Sequence, residues 1–293
     1  MSRRRARASG LLLLLAIAAI ASTLATSASA SKPRLPHFWH VIVVVFENKD
    51  EGQVLGSKDA PTFNRLARQY ATLTPYEATT HPSLPNYLML VSGTTGGITT
   101  DCTDCTLGVP NLVDSLEAAH MSWRTYAESL PSPGYTGAFS GRYAKKHNPF
   151  VYFRDVLASP KRLARIVPFA QFGRDCTRRR LPRFALVIPD LCNDMHDCPV
   201  ATGDAWLRRK IVPLLGKPQL ADSVVFVIFD EGLTGSGGGR VPAIALGPVV
   251  KPHSRPSALV THPALLRTIE QAWGLPYLGA SADAAPIAGI WRG

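Results

Sequence analysis

Three apolar runs in this sequence each end on groups that could hold a cation. "VIVVVF" (41–46) ends on Glu47-Asn48 and "SVVFVIF" (223–229) on Asp230-Glu231. "RFALVIP" (183–189) ends on Asp190 and runs into "LCNDMHD", with Asp194, His196 and Asp197. One acid after an apolar run is usually a turn residue or a helix cap. Three runs ending this way form a different pattern. If they meet, their carboxylates repel one another unless protons or cations neutralise them, so the pattern predicts a divalent metal. Asp, Glu and Asn suit calcium, magnesium or manganese, and His admits zinc or iron.

A second segment, "TTHPSLPNYLMLVSGTTGG", supplies hydroxyls at Thr79, Thr80 and Ser83, the last held between Pro82 and Pro85. A hydroxyl fixed beside a divalent cation can ionise near neutral pH and attack phosphorus. Ser83 is the expected nucleophile, and the N–H groups of the helix start after it, which includes Asn86, could face a phosphate. His81 is a rival, since an imidazole can itself carry a phosphoryl group. His196 and His262 are the expected nitrogen ligands, or acids for a leaving group. "GRYAKKHNPFVYF" offers Lys145, Lys146 and His147 as cations for a phosphate, although a solvated basic turn accounts for it equally well.

These groups need a scaffold that brings them together. The three runs are continuous and rich in Val and Ile, as expected of parallel strands covered on both faces. "VPAIALGP" (241–248) predicts a further strand. Between them lie helical patterns in "APTFNRLARQYA", "NLVDSLEAAHM" with Asn111 as cap, "DAWLRRKIVPLL" and "HPALLRTIEQAWG". "NYLMLVSG" reads as another helix start with a Gly stop. The alternation predicts an α/β sandwich of three layers around a mostly parallel sheet. Ligands bind such sheets beyond the carboxyl ends of the strands, where the three acidic endings would meet.

Residues 1–30 read as a signal peptide. A basic start, "MSRRRARASG", precedes the apolar "LLLLLAIAAIAS" and the small-residue site "ASA". The chain is therefore expected to be secreted, beginning near Ser31 and forming one domain over 31–293 with no later membrane span. Without the leader's four Arg, 28 basic and 21 acidic residues leave a net charge of +7. That surplus could attract phosphorylated substrates, anionic lipid or nucleic acid. Five cysteines in an exported chain read as disulfides plus one left over. Cys192 and Cys198 flank "NDMHD" and are expected to bridge. Cys102 and Cys105 form a C-x-x-C that lacks the second pair a zinc site needs, and Cys176 is then the odd one.

Beside this reading stands a resemblance. "FENKDEGQVLG", "THPSLPNYLMLVSG", "KKHNPFVYF", "NDMHDCPVATGDAWL", "VIFDEG" and "THPALLRTIEQAWGLP" resemble the phosphoesterase family of bacterial phospholipases C and secreted acid phosphatases. The order is similar to its compact branch of secreted mycobacterial acid phosphatases. The resemblance implies an alkaline-phosphatase-like fold, with Glu47, Asn48, Asp230 and Glu231 around a first metal. "SLPNY" is similar to a "TFPNHY" segment of nucleotide pyrophosphatases whose Thr is the nucleophile, which places Ser83 in that role. The superfamily commonly has Asp-His where this chain has Asp230-Glu231, and "DLCNDMHD" lacks the Asp-x-x-x-His spacing of two-metal relatives. One or two metals, and a ligand role for Asp190, Asp194 or Asp197, stay open.

The expected function is hydrolysis of phosphoric esters through a phosphoserine intermediate, on a phosphorylated small-molecule or lipid substrate, with no nucleic-acid partner. Monoesters are expected first, because the chain lacks an evident lipid-binding appendage, and phosphodiesters are the alternative. A binding protein that merely holds structural calcium is the rival from another class. His196 and His262 speak against it, since calcium favours oxygen ligands alone. Oligomeric state is not legible.

Overall fold

The computed structural model describes residues 35–233 and 236–292. The expected leader lies outside them. Among the described residues no helix is long and apolar enough to cross a membrane.

Seven strands form the central sheet: β1 (Val41–Phe46), β2 (Ala71–Thr72), β3 (Trp123–Ala127), β4 (Ile166–Pro168), β5 (Phe184–Ile188), β6 (Val224–Phe229) and β7 (Ala243–Leu246). Their order is β2-β7-β6-β1-β5-β3-β4. The five from β6 to β4 are parallel neighbours, while β7 runs antiparallel to β6. The expected mostly parallel α/β sandwich is what the chain forms. The apolar runs at 41–46, 183–189 and 223–229 are its three adjacent central strands, trimmed by a residue or so at their ends.

Continuous apolar sequence is needed because both faces are covered. Phe46 and Phe229 stack on one face and meet Phe63 and Trp206 from the helices Pro61–Gln69 and Val200–Lys210. Phe226, three residues earlier on β6 and so on the other face, meets Trp291. β3 and β4 are strands the sequence pattern did not offer. β3, "WRTYA", carries Arg124, whose guanidinium pairs with buried Asp175, so a charge interrupts the apolar run by which a covered strand is recognised.

"TGDAWL" turns out to be structural. Pro61 opens its helix without an N–H, and Asn64 N–H reaches Ala60 O at 3.0 Å. The two donors between them, Thr62 N–H and Phe63 N–H, both donate to Asp204 Oδ1, at 2.8 and 3.0 Å. The helix start is thus fully satisfied. Asp204→Ala should strand two buried donors and lower stability by about 1–3 kcal/mol in denaturant unfolding, with little change in turnover per folded molecule. An unchanged midpoint would refute this. Gly203 has a different reason: a Cβ there would lie 2.5 Å from Met195 Cγ and 2.9 Å from Asn193 O. Only glycine lets this helix press against the "NDMHD" loop.

Candidate active site

Because β1 and β6 pair in register up to Phe46 and Phe229, the next residues, Glu47 and Asp230, leave the sheet side by side. Asn48 then turns the chain with φ +51°, a conformation Asn tolerates better than most residues. Its N–H donates to Asp230 Oδ1 at 3.1 Å. The Asn48 backbone thus helps to fix the Asp230 carboxylate.

The third strand end arrives by a longer route. Asp190 does not reach the cluster. Its carboxylate accepts from Cys192 N–H, Asn193 N–H and Ser129 Oγ, and so shapes the loop that carries Asp194. Glu128 supports the same loop, accepting from Asp190 N–H, Asn193 Nδ2 and Trp206 Nε1. The expected Cys192–Cys198 disulfide closes it. Met195 at φ +80° holds a strained turn within it. The result puts Asp194 O on Glu47 N–H at 2.9 Å and buries its carboxyl beside Glu47. Asp197 instead holds His196 Nδ1, at 2.6 Å.

Ser83 is the first residue of the helix Ser83–Ser92, three residues earlier than the expected start at Asn86. Its Oγ lies 3.1 Å from Glu47 Oε2 and 3.4 Å from Glu231 Oε1. The other hydroxyl candidates point elsewhere: Thr79 Oγ1 to Asn86 Oδ1 and Thr80 Oγ1 to His81 O. Asn86 braces the turn. It accepts from Thr79 and Thr80 N–H and donates to Thr80 O and Glu231 Oε2. His81, 39% exposed, is held by its Nδ1 on Glu231 Oε2 at 2.8 Å.

The histidines divide differently from the sequence expectation. His262 sits behind the site, with Nε2 on Asp230 O at 2.7 Å and Nδ1 on the Tyr76 hydroxyl at 2.9 Å. Both nitrogens are occupied, so it braces Asp230 and has none to offer an ion. His196 sets Nε2 3.3 Å from Lys146 Nζ. His147, expected to face a phosphate, lies between carboxylates instead: Nε2 is 3.4 Å from Glu47 Oε2 and Nδ1 3.3 Å from Asp194 Oδ2. It stacks on Tyr87, which donates a short hydrogen bond to Glu47 Oε1. Tyr87 was missed in the sequence, where "PNY" reads as an ordinary helix start.

Burial sets the electrostatics. Desolvation, then Asp230 and Asp194, push the Glu47 carboxyl well above its ordinary range, and desolvation raises Asp194 and Asp230 likewise. Glu231 is raised to about 7 by burial and by Asp230. Burial, and then Lys146, lower His147 to about 3. His147 is thus neutral, and its two carboxylate contacts are not ion pairs. Lys49 and Lys146 act on these carboxylates from a distance, their ammonium groups being bonded elsewhere.

Glu47, His147 and Asp194 each offer a ligand atom within 4.8 Å of the others and could hold a metal ion. Among the described residues His147 Nε2, Asp194 Oδ2 and Asp230 Oδ2 are buried without a hydrogen-bond partner. Buried polar atoms are rarely left so. A divalent cation fits the donor set of three acids and a neutral imidazole.

The chain is similar to known proteins in sequence and in fold. The phosphoesterase family profile matches residues 44–276. The chain is 38% identical over 258 residues to a phosphatidylinositol-3-phosphatase of Mycobacterium tuberculosis, covering 88% of this chain and 84% of that one. It is 32% identical to a probable acid phosphatase of Kluyveromyces lactis, over 83% of this chain but 60% of that one's length. An alkaline phosphatase superfamily protein of Vibrio parahaemolyticus shares the fold with a TM-score of 0.60 at 13% identity, over 86% of this chain and 72% of its own. The chain belongs to the phosphoesterase family and is a hydrolase acting on phosphoric ester bonds.

Proposed function

We propose that this chain is an exported, metal-dependent phosphomonoesterase that works through a phosphoserine intermediate on Ser83. One observation carries the reading: a buried Ser hydroxyl at a helix start, within 3.1 and 3.4 Å of two carboxylates of a cation-hungry cluster. The two disulfides, Cys102–Cys105 and Cys192–Cys198, and the leader pattern support export.

Glu47, Asp194, Asp230 and His147 would hold the ion, which when bound neutralises the carboxylates and polarises the phosphoryl group. Ser83 Oγ attacks phosphorus and gives its proton to Glu231, whose Oε1 lies 3.4 Å away. The ester P–O bond breaks, and His81 at the site mouth donates a proton to the departing oxygen. Water then attacks the phosphoserine, giving a proton to His81, while the Ser83–phosphorus bond breaks and Glu231 returns its proton to Ser83 Oγ, which releases inorganic phosphate and restores both groups. Lys146 attracts the phosphate dianion.

Monoester preference is favoured by the phosphatase names of both relatives. The test compares nitrophenyl phosphate with bis(nitrophenyl) phosphate. Expected is a kcat/KM at least about tenfold higher for the monoester, a difference of roughly 1.4 kcal/mol in barrier. Equal or reversed preference would assign the site to phosphodiesters.

A further inference from the structure

The helix that begins at Ser83 should attract an anion at its N-terminus, where unsatisfied N–H groups and the helix dipole add. Pro85 has no N–H, so Leu84 N–H is the backbone donor next to the nucleophile. It already has an anion. Asp101 Oδ1 accepts from Leu84 N–H at 2.9 Å, and Asp101 Oδ2 accepts from Lys146 Nζ at 3.0 Å. Leu84 N–H and Lys146 Nζ, two donors suited to a phosphoryl oxygen, are therefore bridged by one protein carboxylate.

Asp101 is held there by its loop. The Cys102–Cys105 disulfide closes the next turn, and Lys145 Nζ anchors it by donating to Thr103 O at 2.6 Å. Neighbouring lysines thus do different jobs: Lys145 fixes the loop and Lys146 pairs with its acid. The Asp101 side chain is 27% exposed, so it can yield to an incoming anion.

We propose that Asp101 is a resident counter-anion, occupying the position between Leu84 N–H and Lys146 Nζ that a phosphoryl oxygen at Ser83 takes. Substrate and inorganic phosphate then bind in competition with it, and their affinity is reduced by the fraction of time Asp101 is in place. The device limits product retention by Lys146 and the helix start. It rests on the reading of Ser83 as the nucleophile of a phosphatase.

The test is Asp101→Asn, which keeps an oxygen for Leu84 N–H and removes the charge facing Lys146. With the divalent cation present, the KM for nitrophenyl phosphate and the inhibition constant of inorganic phosphate should fall together. The expected factor is about two- to fivefold, the worth of a partly exposed ion pair. Adding Lys146→Ala to the variant should abolish the gain. If both constants rise, Asp101 serves to hold Lys146 in place and the proposal is wrong; if neither moves, it is equally wrong. Should the Asn variant fail to fold by circular dichroism, Asp101→Ser replaces it. Absence of turnover in the unsubstituted protein would defeat the phosphatase reading instead. Calorimetric titration with inorganic phosphate, on both proteins, would still decide the role of Asp101.

Discussion

Ser83→Ala is expected to abolish turnover while leaving the protein folded and its metal content unchanged. The hydroxyl faces carboxylates, Glu47 at 3.1 Å and Glu231 at 3.4 Å, with Asp230 also within its reach, and Glu47 and Glu231 keep other partners in Tyr87, His81 and Asn86. Removing one buried oxygen is therefore a small structural change. Removing a covalent nucleophile is a large chemical one, on the order of 10³-fold or more in kcat. Ser83→Thr should retain part of the activity, because the hydroxyl remains. Acid quench after brief exposure to labelled substrate should trap label on Ser83 in the unsubstituted protein and none in the alanine variant. Label on His81, or near-native turnover by the alanine variant, would overturn the assignment.

How far the site was legible follows from which side of it each residue occupies. Glu47, Asp230 and Glu231 follow uninterrupted apolar strands, so strand pairing alone brings them together, and the sequence announces both strand and ending. Ser83 is similarly exposed to reading, bracketed by two prolines. Asp194 was legible as one of three candidates in its loop, but its choice over Asp190 and Asp197 depends on a loop conformation set by Glu128, Gly203 and a left-handed Met195. No local pattern encodes that.

The places of the histidines were hidden for the same reason. His262 opens an amphipathic helix, a position that fits a ligand and a brace equally. Only the Tyr76 hydroxyl, brought by a short parallel pairing of Tyr76–Glu77 with Val260–Thr261, decides that it braces Asp230. His147 looked like one cation of a basic turn. Burial strips its charge and sets it between Glu47 and Asp194, where the three could hold an ion. Asp101 carried no signal at all, being one of two acids in a Thr-rich loop whose partner is a helix N–H 17 residues earlier in the chain.

Chelation should remove activity and, separately, make stability depend on pH in a stated direction. Glu47, Asp194 and Asp230 have carboxyls raised above their ordinary range in the ion-free fold. A raised carboxyl favours the fold fully below the unfolded value, near 4, and loses that contribution as pH climbs through the folded value. The ion-free protein should therefore weaken as pH rises from 5 to 8. With a divalent cation bound, the carboxylates are neutralised without protons and the loss disappears. The gap in Tm between metal-replete and chelated protein should thus be small at pH 5 and wide at pH 8. An ion at a hundred times its Kd adds about 2.7 kcal/mol, which for a chain of this size is a shift of about 5–10 °C. Scanning calorimetry at both pH values, paired with nitrophenyl phosphate assays before and after restoring the ion, measures both effects. Full turnover after exhaustive chelation, with metal analysis blank, would remove the basis for the mechanism. A Tm gap equal at both pH values would mean that the buried carboxylates are not where the ion binds.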